Sequence, residues 1–152
     1  MTKISKTNSI EQVQKHLTSE CFNKLFIGGQ FVDPIDGQKM PTYYPATGEV
    51  FHELPKGNAN DIGAAIRAAE AAWLNGAWAN MPASERGKLI SRMAQGIEEN
   101  IEVLAEIEAA DVGKPFRQAK LVLGGAADEG KYWGSLGAVL DAEQDKPIDS
   151  GG

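Results

Sequence analysis

Apolar positions follow two different rhythms along the chain. Over Leu25 to Val32 the run LFIGGQFV places apolar residues on both sides of Gly28-Gly29, the pattern of two short strands joined by a tight turn. The stretch PTYYPATGEVFHELP that follows is limited by Pro45 and Pro55 and carries a turn signal at Thr47-Gly48. It predicts an extended, loop-rich region. From residue 60 the period lengthens: Ile62, Ala65, Ile66, Ala69, Ala72 and Trp73 share one helical face, with Asn60-Asp61 as capping types before it and Asn75-Gly76 after it.

A second helical stretch begins near Ser84, aligns Leu89, Ile90, Met93 and Ile97, and continues past Asn100 with Ile101 and Leu104. Gly113 and Pro115 supply its stop signals. A third runs from Pro115 to about Leu140, with Ala119, Val122, Leu123, Ala126 and Trp133 at compatible spacing. Its glycines at 124, 125, 130, 134 and 137 each lower intrinsic helicity by about 1 kcal/mol relative to Ala, so packing must compensate. Gly130 and Gly134 form a GxxxG through which another backbone could approach. Near the start, Ser9-Ile10-Glu11-Gln12 has the form of a capping box ahead of Ile10, Val13 and Leu17, predicting a short helix over about 9–18. The last residues, 141–152, are acidic and turn-like.

Composition narrows the function classes. The net charge is -6, from 15 basic and 21 acidic residues, which argues against nucleic acid, where clustered basic residues neutralise phosphates. No apolar run reaches the length of a signal peptide core or a membrane span. Cys21 is the sole cysteine, so no internal disulfide forms and a reducing, cytoplasmic setting is expected.

Local chemistry is sparse. His16 and His52 belong to no metal-ligand spacing. Asp33 to Gly37 opens like a calcium loop, but its twelfth position is Tyr44 where a Glu is needed. Neither G-x-G-x-x-G nor G-x-x-x-x-G-K-[ST] occurs. Gly113-Lys114 precedes a proline and reads as helix termination. Cys21 has no glycine-rich elbow beside it and reads as an incidental thiol. The carboxylates at 98, 99, 102, 106 and 108 read as a solvated helix face.

The ordered set FIGGQFV, PTYYPATGEV, NDIGAAIRAAEAAW, SERGKLISRMAQGIEEN and LAEIEAADVGKP resembles the N-terminal segment of the NAD(P)-dependent aldehyde dehydrogenase family, from about residue 24 to 140. Tyr44 stands where the family often has Asn, which puts the hydrogen bonding of that turn in question. The resemblance implies an α/β fold represented here by a predominantly helical segment, three main helices with a short β-hairpin. It divides the chain into a polar arm at 1–24, a dehydrogenase-like segment at 25–140 and a truncated acidic tail at 141–152.

It further implies a parent enzyme that oxidises an aldehyde to a carboxylic acid through a cysteine thiohemiacetal, with NAD or NADP as cofactor. The nucleophile, the base and the cofactor loop lie downstream in the family, and Cys21 precedes the matched region. The chain alone is therefore expected to be inactive and to hold no cofactor. Its expected partner is the remaining dehydrogenase polypeptide or a further copy of itself, with no nucleic acid and no membrane. Alternatives are a noncatalytic interaction module and the product of an interrupted gene. The resemblance also implies a monovalent cation held by backbone oxygens at Thr42, Tyr43 and Asp111, and a place for Trp133 beside a substrate tunnel.

Overall fold

A computed structural model describes residues 10–144. The expected capping box at Ser9 and the segment 145–152 lie outside the described residues. Two short helices open the fold, α1 (Ile10–His16) and α2 (Glu20–Asn23). Two antiparallel hairpins follow, each a two-stranded sheet of its own: β1 (Leu25–Ile27) with β2 (Gln30–Val32), and β3 (Lys39–Tyr43) with β4 (Val50–Pro55). Gly28 and Gly29 both have positive φ, 60° and 80°, the conformation a two-residue hairpin turn requires. Leu25 therefore pairs with Val32 and Ile27 with Gln30. The loop-rich stretch after it closes into the second hairpin.

Helix α3 (Ala59–Asn75) starts two residues earlier than a cap at Asn60 would place it. Asn58 is the N-cap: its side chain accepts from the N–H groups of Asn60 and Asp61, at 2.8 and 3.2 Å. Asp61 is the returning half of the box and accepts from the Asn58 N–H at 2.9 Å. It also accepts from the Ile35 N–H at 3.1 Å, which explains how a carboxylate is buried there.

The second helical stretch is two helices, α4 (Ala83–Glu99) and α5 (Ile101–Val112), meeting at Asn100. Asn100 turns its amide back to the Gly96 carbonyl, 2.8 Å away, an alternative to helix propagation of the kind Asn favours. Helix α6 (Phe116–Gln144) extends past the expected end, so residues 141–144 are helical rather than turn-like.

The residues that helical spacing aligns on α6 are not the ones it buries. Ala119 is buried, but Val122, Ala126 and Trp133 are exposed. The buried stripe consists of Ala119, Ala127, Gly134 and Gly137, small residues at helical spacing. They let α4 approach closely: a Cβ on Gly130 would stand 3.0 Å from Ala94 Cβ, and one on Gly134 or Gly137 would collide with α4 at Ser91 or Ala83. The packing that these glycines need is thus supplied by α4 within this chain. Asp141, near the end of α6, completes the pair by accepting from the N–H groups of Ala83 and Ser84 at 2.8 and 2.9 Å. It satisfies two of the unpaired donors at the start of α4.

On α3 the aligned apolar residues do share one face, and that face is uncovered. Ile62, Ile66, Trp73 and Leu74 remain 56 to 72% exposed, leaving an amphipathic stripe that no described element covers. The apolar core proper is small and lies elsewhere, where Val13 and Leu17 of the N-terminal helical segment meet Phe51 of β4 and Ala110 of α5.

Candidate cation-binding corner

The core cluster sits beside the one place where the sequence-derived site residues meet. Along β3 and β4 the register is regular from Lys39↔Pro55 to Thr42↔His52, then jumps so that Tyr43 faces Val50. Phe51 is the extra residue of this bulge. A bulge re-aims its side chain and interrupts the ladder, and here it drives the Phe51 ring into the core, where 6% of the residue stays exposed. Tyr44 packs edge-on against that ring at 6.5 Å.

Beyond Tyr43 the chain turns sharply. The Tyr44 N–H donates to the Glu49 carbonyl and the Gly48 N–H returns to the Tyr44 carbonyl, both at 2.8 Å. Tyr44 therefore keeps the turn closed through its backbone while its ring packs against the core.

Helix α5 brings the second half of the corner. Asp111 is its penultimate residue, and Thr42 Oγ1 donates to Asp111 Oδ1 at 2.6 Å. Gly113 ends the helix in the left-handed conformation, φ 70°, as the Gly-Lys reading anticipates. A Cβ there would lie 3.3 Å from Pro45 Cβ, so the turn after β3 rests against the helix end. The Asp111 carbonyl is among the last four of the helix, and the residue four further on is Pro115, which has no N–H to give it.

Electrostatics at this end favour a cation. The carbonyl end of a helix carries partial negative charge, and a carboxylate placed there is at the unfavourable pole. The last turn of α5 holds no basic residue. Lys114, just beyond it, is paired with Glu108. What joins the two segments is the Thr42 hydroxyl on the Asp111 carboxylate, and oxygen donors of this kind suit a hard cation better than a transition metal. Among the described residues no group of three or more His, Cys, Asp and Glu side chains is placed to hold a metal.

Thr42 and Asp111 are thus in direct contact, and Tyr43 follows Thr42 on β3, opposite the bulge, and is 54% exposed. Trp133 is not part of this contact. It lies on α6, 60% exposed, with its ring edge-on to Tyr132 at 5.1 Å. A cavity of about 570 Å³ at the start of α4 is lined by Asn80, Met81, Arg86 and Asp141, among others, and Trp133 does not line it.

The remaining candidates behave as ordinary side chains with one exception. Cys21 is exposed and donates to Ser19 Oγ at 3.3 Å. His52 Nε2 lies 3.5 Å from the Phe22 carbonyl. Glu106, read as part of a solvated face, instead keeps only 11% of its side chain exposed and pairs with His16 at 3.0 Å. Sequence reasoning missed Phe51 and Ala110, which support the corner from the core side. Their signal is weak, one aromatic in an extended stretch and one alanine among several.

Comparison with known proteins decides the family. The family model described as the aldehyde dehydrogenase family matches residues 31–151. The chain belongs to the aldehyde dehydrogenase family. It is 40% identical over 114 residues to a mitochondrial benzaldehyde dehydrogenase of Antirrhinum majus, covering 75% of this chain and 21% of that protein. It is 44% identical over 99 residues to aldehyde dehydrogenase family 2 member C4 of Arabidopsis thaliana, covering 65% and 20%. Among solved structures, an aldehyde dehydrogenase of Bacillus cereus superposes with a TM-score of 0.77 at 35% identity, covering 89% of this chain and 27% of that one. A betaine aldehyde dehydrogenase of Staphylococcus aureus, solved in complex with NAD+, superposes with a TM-score of 0.80 at 26% identity over 94% and 28%. The chain spans about a fifth of the length of the aldehyde dehydrogenase relatives it matches, and its mostly helical architecture with two small hairpins is that of the fold's N-terminal region.

Proposed function

We propose that the chain serves as the N-terminal part of an NAD(P)-dependent aldehyde dehydrogenase, a protein that oxidises an aldehyde to a carboxylic acid through a cysteine thiohemiacetal. The observation that carries this reading is the family match over 31–151 together with the agreement in fold. In such an enzyme NAD or NADP accepts the hydride. No residue of this chain is assigned to hold the cofactor or to attack the aldehyde. Cys21 has its hydrogen bond with Ser19 rather than with a base, whereas a nucleophilic thiol is ordinarily set beside one. On this reading residues 1–24 form a polar arm carrying a short helix, 25–140 the dehydrogenase segment and 141–152 an acidic C-terminal stretch whose first residues continue α6. The lone, exposed cysteine supports a cytoplasmic setting, and no helix among the described residues is long and apolar enough to cross a membrane.

The corner at Thr42, Tyr43 and Asp111 then supplies backbone oxygens to a monovalent cation. The bulge supports this by interrupting the ladder at Thr42 and Tyr43. The Asp111 carbonyl, denied an i+4 donor by Pro115, supports it from the helix side. Trp133, exposed on α6, is free to line a tunnel completed by the rest of the enzyme. The partner that the reading calls for is the remaining dehydrogenase polypeptide, or further copies once that polypeptide is joined.

A complementation experiment tests the proposal. The purified chain, mixed with aldehyde and NAD or NADP, yields no reduced nicotinamide. Co-expression with a polypeptide comprising the rest of an aldehyde dehydrogenase yields aldehyde-dependent reduction. Cys21-dependent turnover by the chain alone overturns it. The uncovered stripe of α3 favours a second reading, a noncatalytic module that binds dehydrogenase polypeptide, and the same experiment identifies it as stable pairing without turnover.

A further inference from the structure

Helix α1 lies ahead of the residues matched by the family model, yet it grips the residue on which the corner depends. The bulged Phe51 is held twice from that side. Its ring packs in the cluster with Val13 and Leu17, which are 3% and 4% exposed, and its carbonyl accepts from Gln14 Nε2 at 2.9 Å in a partly buried contact. A bulge leaves its extra residue outside the ladder, and a part-buried carbonyl without a partner is costly. The Gln14 amide provides that partner across 37 positions of sequence. The same helix is fastened to α5 by His16 to Glu106 at 3.0 Å, one turn before Ala110 and Asp111. Helix α1 therefore bridges strand β4, whose partner β3 carries Thr42 and Tyr43, and the helix that carries Asp111.

We infer that α1 is a brace for the cation corner and that Gln14 is a positioning residue for it, acting through Phe51 rather than by touching the ion. The inference rests on the corner's assignment as a cation site. Fixing the Phe51 carbonyl fixes the bulge, and the bulge sets the direction of the Thr42 and Tyr43 carbonyls. Gln14 itself is exposed on its helix, so replacing it leaves the core residues Val13 and Leu17 in place.

The test follows the backbone amide signals of residues 42–44 and 111–113 by two-dimensional NMR on the full 152-residue chain. Potassium chloride is titrated against choline chloride at constant ionic strength. The wild-type signals shift saturably. Gln14→Met, of similar length but without a donor, raises the half-saturating potassium concentration about fivefold, the worth of one ordinary hydrogen bond. Gln14→Arg, which keeps a donor at that reach, restores most of the affinity. A role confined to stability would shift the unfolding midpoint of Gln14→Met and leave its half-saturation at the wild-type value, and that result overturns the brace while the corner stands. Wild-type signals that move no more in potassium than in choline overturn the corner itself, and the brace with it.

Discussion

Gly87 and Gly134 meet so closely that a Cβ on Gly87 would fall inside the carbonyl oxygen of Gly134. Both are buried, and their contact draws α4 and α6 together at backbone range. A lone methyl at either position must push the helices apart. Gly87→Ala and Gly134→Ala should each destabilise by about 1–3 kcal/mol, the usual cost of overpacking, even though Ala is the better helix former. Gly96 and Gly125, with nothing within 4 Å of an added Cβ, provide the control. There the same change should stabilise by roughly 0.5–1 kcal/mol. Urea denaturation of the four variants separates the two cases, and an equal response from all four would contradict the close approach.

The clasp at the start of α4 makes stability depend on acid. The Asp141 carboxyl is held below its ordinary value of 3.8, first by the hydrogen bond from the Ser84 side chain and then by the backbone N–H groups of Ser84 and Ala83. Asp36 is held low by the Gln38 N–H and then the Asn58 side chain. A depressed folded value means that the unfolded chain binds protons more readily. The stabilisation is complete above the ordinary carboxyl range and disappears as pH falls through the depressed values. The urea midpoint of the wild type should therefore fall as pH drops below the ordinary carboxyl range. Asp141→Asn should lower the midpoint at pH 7 and flatten the acid limb, and an unchanged acid limb would refute the assignment.

At the corner, Thr42→Val removes the hydroxyl that Asp111 accepts while preserving shape. It should cost about 0.5–1.5 kcal/mol at neutral pH, the net value of one such bond. Thr42→Ser, which keeps the donor, should recover most of it. Equal stability of the Val and Ser variants would mean that the contact contributes nothing.

Exposed apolar residues on α3 predict behaviour rather than stability. Ile66→Glu and Trp73→Glu should change unfolding free energy by no more than about 0.5 kcal/mol, because neither side chain is buried here. Light scattering should show less self-association, and pull-down with the remaining dehydrogenase polypeptide should fall sharply. Undiminished capture would place the docking face elsewhere.

What the sequence discloses follows the range of the interactions. The first hairpin is legible because its turn demands two glycines in a row, and the end of α3 because Asn75-Gly76 stops it. The true cap Asn58 is hidden by better-looking neighbours at 60 and 61, since any of the three satisfies local preference and only the Asp61 contacts to Asn58 and Ile35 decide. The buried face of α6 is hidden for a similar reason. Hydrophobicity points to Val122 and Trp133, whereas burial goes to the glycines and alanines that permit close approach. The pairing of Thr42 with Asp111 spans 69 positions, and Asp141 caps a helix that begins 58 residues earlier. Neither is written in any local pattern, and the resemblance to a family is what brought the first pair into view.

The uninterrupted course of α6 has a mechanical consequence. Its 29 residues rise about 44 Å at 1.5 Å each, long enough to lie across the junction at Asn100. Lys120 ties it to Glu102 on one side of that junction, Lys131 ties it to Glu98 on the other, and Asp141 anchors it at the far end of α4. The break in the helical ladder at Asn100 is thus spanned by a continuous helix that contacts α4 and α5 on either side of it.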